Sequence, residues 1–185
     1  MISQEITLQP IFEIPPDDLV NLYVENRTFL EPYEPKRPDI YFTRAGQIEL
    51  LNNARRLWEE DSAYTFAICA HRGDHATPVP IGRMSLSNVV RGSWHSCTVG
   101  YFVSQHANNR GIATQALTQA VRFAFQDAKL HRVQAAIMPR NIASLRVVEK
   151  VGFHYEGLAK YYLNINGVWE DPRIYSVTPE LWTGR

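Results

Sequence analysis

The residues whose types and spacing could do chemistry form a polar hexapeptide, Asn108-Asn109-Arg110-Gly111-Ile112-Ala113, with Thr114 directly after it. Before it, from Val99 to Val103, apolar and aromatic residues surround Gly100, which predicts a strand buried on both faces. After Gly111 the positions Ala113, Leu117, Val121, Ala124, Phe125 and Ala128 recur at steps of three or four, one face of a helix. The connection from Ser104 to Arg110 is polar and offers no apolar anchor. A strand therefore delivers the chain to a helix start, where several N–H groups lack a carbonyl partner and the dipole is positive. The chemistry this suits is anion binding. Gly111 would let a phosphate approach the backbone, and Ala113 adds only a methyl group; a tight turn is the other use for such a glycine. No Gly-Lys-Ser or Gly-Lys-Thr follows, as a P-loop requires, and the three glycines of a dinucleotide fingerprint are missing.

A second stretch, Asn141 to Phe153, reads as a capped helix. Asn141 is the N-cap, Ile142, Leu145 and Val148 the buried face, and Gly152 the stop. The elements that must position these two stretches follow in order along the chain. Glu5 to Phe12 predicts an edge strand closed by Pro15-Pro16, then a helix capped by Asp17 or Asp18 through Phe29, with Leu19, Leu22, Tyr23 and Asn26 on one side. Glu31 to Pro38, with three prolines, is a loop. Thr43 caps a second helix to about Glu60, whose apolar side is Ile48, Leu51, Leu57 and Trp58. Ala63–Arg72 and Val79–Val90 are strands joined near Gly73-Asp74, and Ser93–Val103 follows after Arg91-Gly92-Ser93. His131–Met138 alternates as a strand; with the preceding strand and helix it makes a crossover unit, which places the two strands parallel. Phe153–Asn164 and Val168–Val177 form a last hairpin about Asn166-Gly167.

The 185 residues fit one domain spanning 1–185. Lys plus Arg equals Asp plus Glu at 19 each, so no basic field argues for nucleic acid. Cys69 and Cys97 fall in separate strand-like runs and read as buried free thiols, which suits a cytoplasmic protein. The six histidines show no metal-ligand spacing, and no apolar run is long enough to span a membrane.

The hexapeptide resembles the Gln/Arg-x-x-Gly-x-Gly/Ala motif of the GNAT N-acetyltransferase superfamily, with Asn108 in place of the usual Gln or Arg. Asn141-Ile142-Ala143-Ser144, followed by a helix ending in Gly152-Phe153, resembles that family's second motif, in the right order. Ser87–Ser93, Glu25-Asn26-Arg27, Phe29-Leu30, Pro32, Trp169 and Asp171 extend the likeness to the bacterial ribosomal-protein-alanine N-acetyltransferases. The resemblance implies an α+β three-layer fold: a mixed, mostly antiparallel sheet of about seven strands flanked by about four helices. It implies acetyl-CoA as cosubstrate, with no metal, wedged where two central strands part. Residues Asn108 to Thr114 would hold its pyrophosphate, the backbone of Phe102 and Val103 its pantetheine, and Asn141 would orient the arm. The acceptor it implies is the α-amine of a ribosomal protein beginning with alanine, without direct contact to nucleic acid or membrane, and with a homodimer left open. A small-molecule amine such as a polyamine or antibiotic is the alternative acceptor, and a non-catalytic CoA-binding module the alternative outside enzymology.

Direct transfer needs a neutral amine, a polarised thioester and a proton for the departing thiolate. An α-amine titrates near 7.7–8.0 against about 10.4 for lysine, so freeing it at pH 7 costs roughly 1 kcal/mol rather than about 4–5. A weak base or a water relay suffices. Many relatives carry a tyrosine acid where this chain has Val148, so the resemblance leaves Ser144 to serve the thiolate. A glutamate used by one relative falls on Leu163. Glu156 is the chosen base, with Tyr101, His95 and Glu25 as further candidates.

Overall fold

The computed structural model describes residues 5–71 and 78–184, so the connection around Gly73-Asp74 lies outside the described residues. Strand β1 (Ile6–Pro10) leads to helices α1 (Pro16–Leu30) and α2 (Arg44–Glu59), then to β2 (Tyr64–Ala70), β3 (Val79–Val90) and β4 (Ser96–Val103). Helix α3 (Ile112–Gln126), β5 (Arg132–Ile137) and α4 (Ile142–Val151) follow, and then β6 (His154–Leu158), β7 (Leu163–Ile165), β8 (Val168–Glu170) and β9 (Arg173–Val177). Seven strands form one sheet in the order β1-β2-β3-β4-β5-β9-β6, while β7 and β8 pair separately. Every neighbouring pair is antiparallel except β4 and β5, which the crossover through α3 makes parallel.

Alternating side chains serve two cores. Phe66, Ile68, Met84, Leu86, Val99, Val133 and Val177 pack under α3 and α4. Ala67, Cys69 and Phe102, from the opposite face, pack under α1 and α2 with Leu19, Leu22 and Tyr41. Among the described residues the result is the three-layer mixed sheet with four helices that the resemblance implies. Burial pushes the thiol of Cys69 up to about 11 and that of Cys97 up to about 12, and both are free.

Several local expectations are corrected. Neither Asp17 nor Asp18 caps α1: Pro15 is the N-cap and Pro16 opens the helix, where a missing N–H costs nothing. Thr43 does cap α2, accepting from the Gly46 N–H, but Ile48 faces solvent and Gln47 is buried in its place, donating to the Tyr41 carbonyl. Ile142 is likewise exposed, so Leu145, Val148 and Val151 make the buried face of α4. Strand β4 is not buried throughout, since Gly100 is exposed. The loop after β4 does have an apolar anchor, Ala107, in a short 3-10 turn from Gln105 to Ala107. The last hairpin is realised in two pieces. β6 and β9 lie in the main sheet, and β7 and β8 turn at Asn166 and Gly167, both at positive φ as a tight two-residue hairpin needs.

Candidate active site

β4 and β5 pair only where Ser96–Thr98 face Arg132–Gln134. Beyond that point β4 runs on to Val103 and β5 to Ile137 with no bond between them, and a cleft of about 730 Å³ occupies the opening. Main-chain directions alternate along a strand, and the Ser104 N–H donates to the Ile81 carbonyl on the β3 side at 2.7 Å. Phe102, opposite Arg83, therefore also faces β3, contrary to the sequence expectation, and the groups of Tyr101 and Val103 are the ones left without a strand partner on the β5 side.

The polar loop closes one end of the cleft. Asn108, Asn109, Gly111, Ile112, Ala113 and Thr114 all line it, whereas Arg110 is exposed and not part of the lining. Gly111 is the N-cap of α3 at φ 77°, with no side chain capping the helix and no acidic residue in its first turn. The first intrahelical bond is Gln115 N–H to Gly111 O at 3.0 Å, so the amides before it are free for an anion. A Cβ on Gly111 would meet nothing within 4 Å, so the cradle is open above the backbone. Arg146 and Lys150, one turn apart on α4, line the same cleft and add positive charge. Sequence reasoning missed both, although their spacing of four on the face away from Leu145 and Val148 was a usable signal. Free amides, open space and two cations together fit a diphosphate.

Asn141 caps α4, its Oδ1 accepting from the Ser144 N–H at 3.1 Å. The Ser144 carbonyl in turn accepts from the Tyr101 hydroxyl at 3.4 Å, and all three residues line the cleft. Burial pushes the Tyr101 hydroxyl up to about 12, so at neutral pH it is a proton donor and not the base. Ser144 and Tyr101 thus stand together in the cleft lining, two hydroxyl-bearing residues available to a leaving group.

The other carboxylate and imidazole candidates are not brought there. Glu156, on β6, is bound by the guanidinium of Arg132 (2.7 Å from Nη1) and by the Ser176 hydroxyl at 2.6 Å. The Arg132 hydrogen bonds hold its carboxyl below the usual range, and it does not line the cleft, so its assignment as base is withdrawn. His95 is exposed at the far end of β4, its Nδ1 3.4 Å from the Lys129 carbonyl, and Glu25 is on the solvent side of α1. Among the described residues the carboxylate that does line the cleft is Glu34, in the proline-bearing loop after α1. No periodicity marks that loop, and only the fold places it.

A model of the acetyltransferase (GNAT) domain matches residues 7–154. The chain belongs to the GNAT family. It is 37% identical over 175 residues to a probable N-acetyltransferase, YjcK, of Bacillus subtilis, covering 95% of this chain and 94% of the relative. It is 36% identical over 165 residues to the [ribosomal protein uS5]-alanine N-acetyltransferase of Escherichia coli, covering 89% and 83%. The solved structure of Mycobacterium smegmatis RimJ in complex with CoA-disulfide superposes with a TM-score of 0.86 at 26% identity, over 96% of this chain and 84% of that one. This GNAT protein is thus an acetyltransferase of the RimJ-like class, and GNAT enzymes draw their acetyl group from acetyl-CoA.

Proposed function

We propose that the protein acetylates the N-terminal α-amine of a protein, with a ribosomal protein beginning with alanine as the acceptor. The observation that carries this reading is the charge content of the cleft, which among the described residues has free helix amides with Arg146 and Lys150 on the α3/α4 side and a single carboxylate, Glu34, on the α1 side. One carboxylate suits one ammonium. A polyamine, with several, would call for several. The likeness to a uS5-alanine acetyltransferase and to a CoA-bound RimJ supports the same choice.

Acetyl-CoA supplies the activated acyl group. Amides from Gly111 to Thr114 hold its phosphates, and the unpaired edge of Tyr101 and Val103 holds the pantetheine amides while a nearby N–H polarises the carbonyl. Asn141 fixes the start of α4, so that Ser144 hydrogen-bonds the departing sulfur and relays to it the proton that the attacking nitrogen loses as the C–N bond forms and the C–S bond breaks. The amine needs little help, because it is already partly neutral near pH 7.

The test is release of free thiol from acetyl-CoA in the presence of Ala-led peptides, the same peptides N-terminally blocked, and spermidine. Release with the free peptides alone is expected, and Ser144→Ala should lower kcat roughly 10- to 100-fold with the KM for acetyl-CoA unchanged. Equal rates with spermidine, or no release with any amine, would overturn the reading.

A further inference from the structure

Glu34 sits in a loop that is fixed from two sides. Its N–H donates to the Leu30 carbonyl at the end of α1 (3.1 Å), and its own carbonyl accepts from Asn166 Nδ2 at the β7–β8 turn (3.4 Å). Two residues on, the Lys36 N–H donates to Asn166 Oδ1 at 2.7 Å. Arg140, which precedes α4, reaches the Pro32 carbonyl (3.4 Å) with one nitrogen and Glu170 Oε2 (2.8 Å) with another. Backbone tied in this way holds Glu34 at a defined place in the cleft wall, which the apolar Leu30, Leu163 and Ile165 also line.

The carboxylate is only partly engaged by protein. Oε2 lies 3.5 Å from Arg37 Nη2, longer than a good charge-assisted bond, and the Glu34 and Arg37 side chains keep partial exposure. Glu34 also lines an adjoining hollow with Lys36 and Arg37 and acts through space on the buried Arg83. Apolar neighbours strengthen what a charge at this position can do, because they lower the local dielectric. On the other layer of the sheet the cleft presents Arg146 and Lys150, which repel a cation. The two ends of the cleft therefore differ in sign.

We propose that Glu34 is the specificity-determining anchor for the cationic amine of the acceptor. The inference rests on the acetyl-transfer reading above and names the residue that selects the second substrate. An ammonium approaching from the α1 side is drawn to Glu34 and kept from the phosphate end, while the anionic coenzyme is drawn to Gly111, Arg146 and Lys150. This polarity gives each substrate its own end of one passage, with the parted strands between them.

The experiment compares wild type with Glu34→Gln, Glu34→Asp and Arg37→Gln, using an Ala-led peptide and its N-acetylated form. Steady-state rates and calorimetric titration of each peptide into the CoA-loaded protein are both measured. For Glu34→Gln the peptide KM should rise about 10-fold, with kcat within about 3-fold and the acetyl-CoA KM within about 2-fold of wild type. Binding of the free-amine peptide should weaken by the same factor, and binding of the acetylated peptide should not change. Raising the salt should weaken the wild type towards the Gln variant, since the interaction is between charges. Glu34→Asp should recover part of the loss, whereas Arg37→Gln, which breaks the same ion pair but leaves the carboxylate, should not raise the peptide KM. An unchanged peptide KM and affinity in Glu34→Gln, or the same loss in Arg37→Gln, would overturn the proposal. Glu34-dependent peptide binding without thiol release would instead uphold Glu34 as the anchor and overturn the acetyl-transfer reading.

Discussion

At Gly111 the backbone is left-handed, φ 77°, yet the space where a side chain would stand is open. Bulk is therefore not the constraint there, and conformation and charge are. Gly111→Ala should lower stability by about 1 kcal/mol, the cost of a left-handed alanine, with little loss of acetyl-CoA affinity. Gly111→Glu carries a negative charge to the free amides of α3 and should weaken acetyl-CoA binding about 10-fold or more, as calorimetric titration would show. Affinity unchanged in the Glu variant would remove the anion cradle from Gly111. Residues of this kind were legible in the sequence because their signals are local: a glycine before a helical period, or an asparagine three residues before the serine N–H it caps. Glu34 and Glu156 show where local signals end. Both are carboxylates in polar stretches, and only the tertiary neighbours Arg132 and Ser176 commit Glu156 to the sheet while the Asn166 turn fixes Glu34 at the cleft.

At the scale of the element, helix α2 shows packing overriding propensity. Alanine is favoured over glycine inside a helix by about 1 kcal/mol, and Gly46 lies in the first turn of α2. A Cβ there would stand 2.0 Å from the Ile40 carbonyl oxygen, in the 3-10 turn Asp39–Phe42 that brings Tyr41 into the core. Backbone is on both sides of that clash, so relief means moving the turn. Gly46→Ala should accordingly destabilise by about 1–3 kcal/mol despite the gain in propensity, measured as a lower urea midpoint with the slope unchanged. A midpoint that stays or rises would show that the turn yields easily. The same competition explains which sequence expectations held. Helix and strand existence followed from periodicity, and Thr43 from its cap chemistry. The exposed faces of Ile48 and Ile142 did not follow, because apolar residues at helical spacing do not reveal which stripe the neighbouring layer covers.

At the scale of the whole molecule, the sheet is two halves joined by the short β4–β5 pairing, and the cleft follows from that short join. The antiparallel run from β2 to β4 and the parallel step to β5 were readable from turn signals and the crossover, whereas the place of β9 between β5 and β6 and the width of the gap were not, because they depend on how distant strands pair and where they stop bonding. Ion pairs fasten the periphery within each half. Arg91, at the end of β3, grips Asp61 ahead of β2 at 2.5 and 2.6 Å and also reaches the Ala128 carbonyl after α3 at 2.7 Å. Arg132 and Glu156 link β5 with β6 across β9, and Arg140 binds Glu170. In each pair the arginine hydrogen bonds hold the carboxyl below its usual range, and Glu180, bonded by Thr178 and His131, is held at about 2. A carboxyl depressed in the folded state contributes stability that is fully present above its unfolded value, near 4, and is lost as pH falls through the folded one. Thermal unfolding should therefore give a nearly constant Tm from about pH 8 to pH 5, with a steady decline below about pH 4. High salt should shrink that decline, since these groups are largely solvent-exposed and screened. A Tm that already falls between pH 7 and 5 would instead assign the titration to histidine, and these carboxylates would not be what sets the acid limit of the fold.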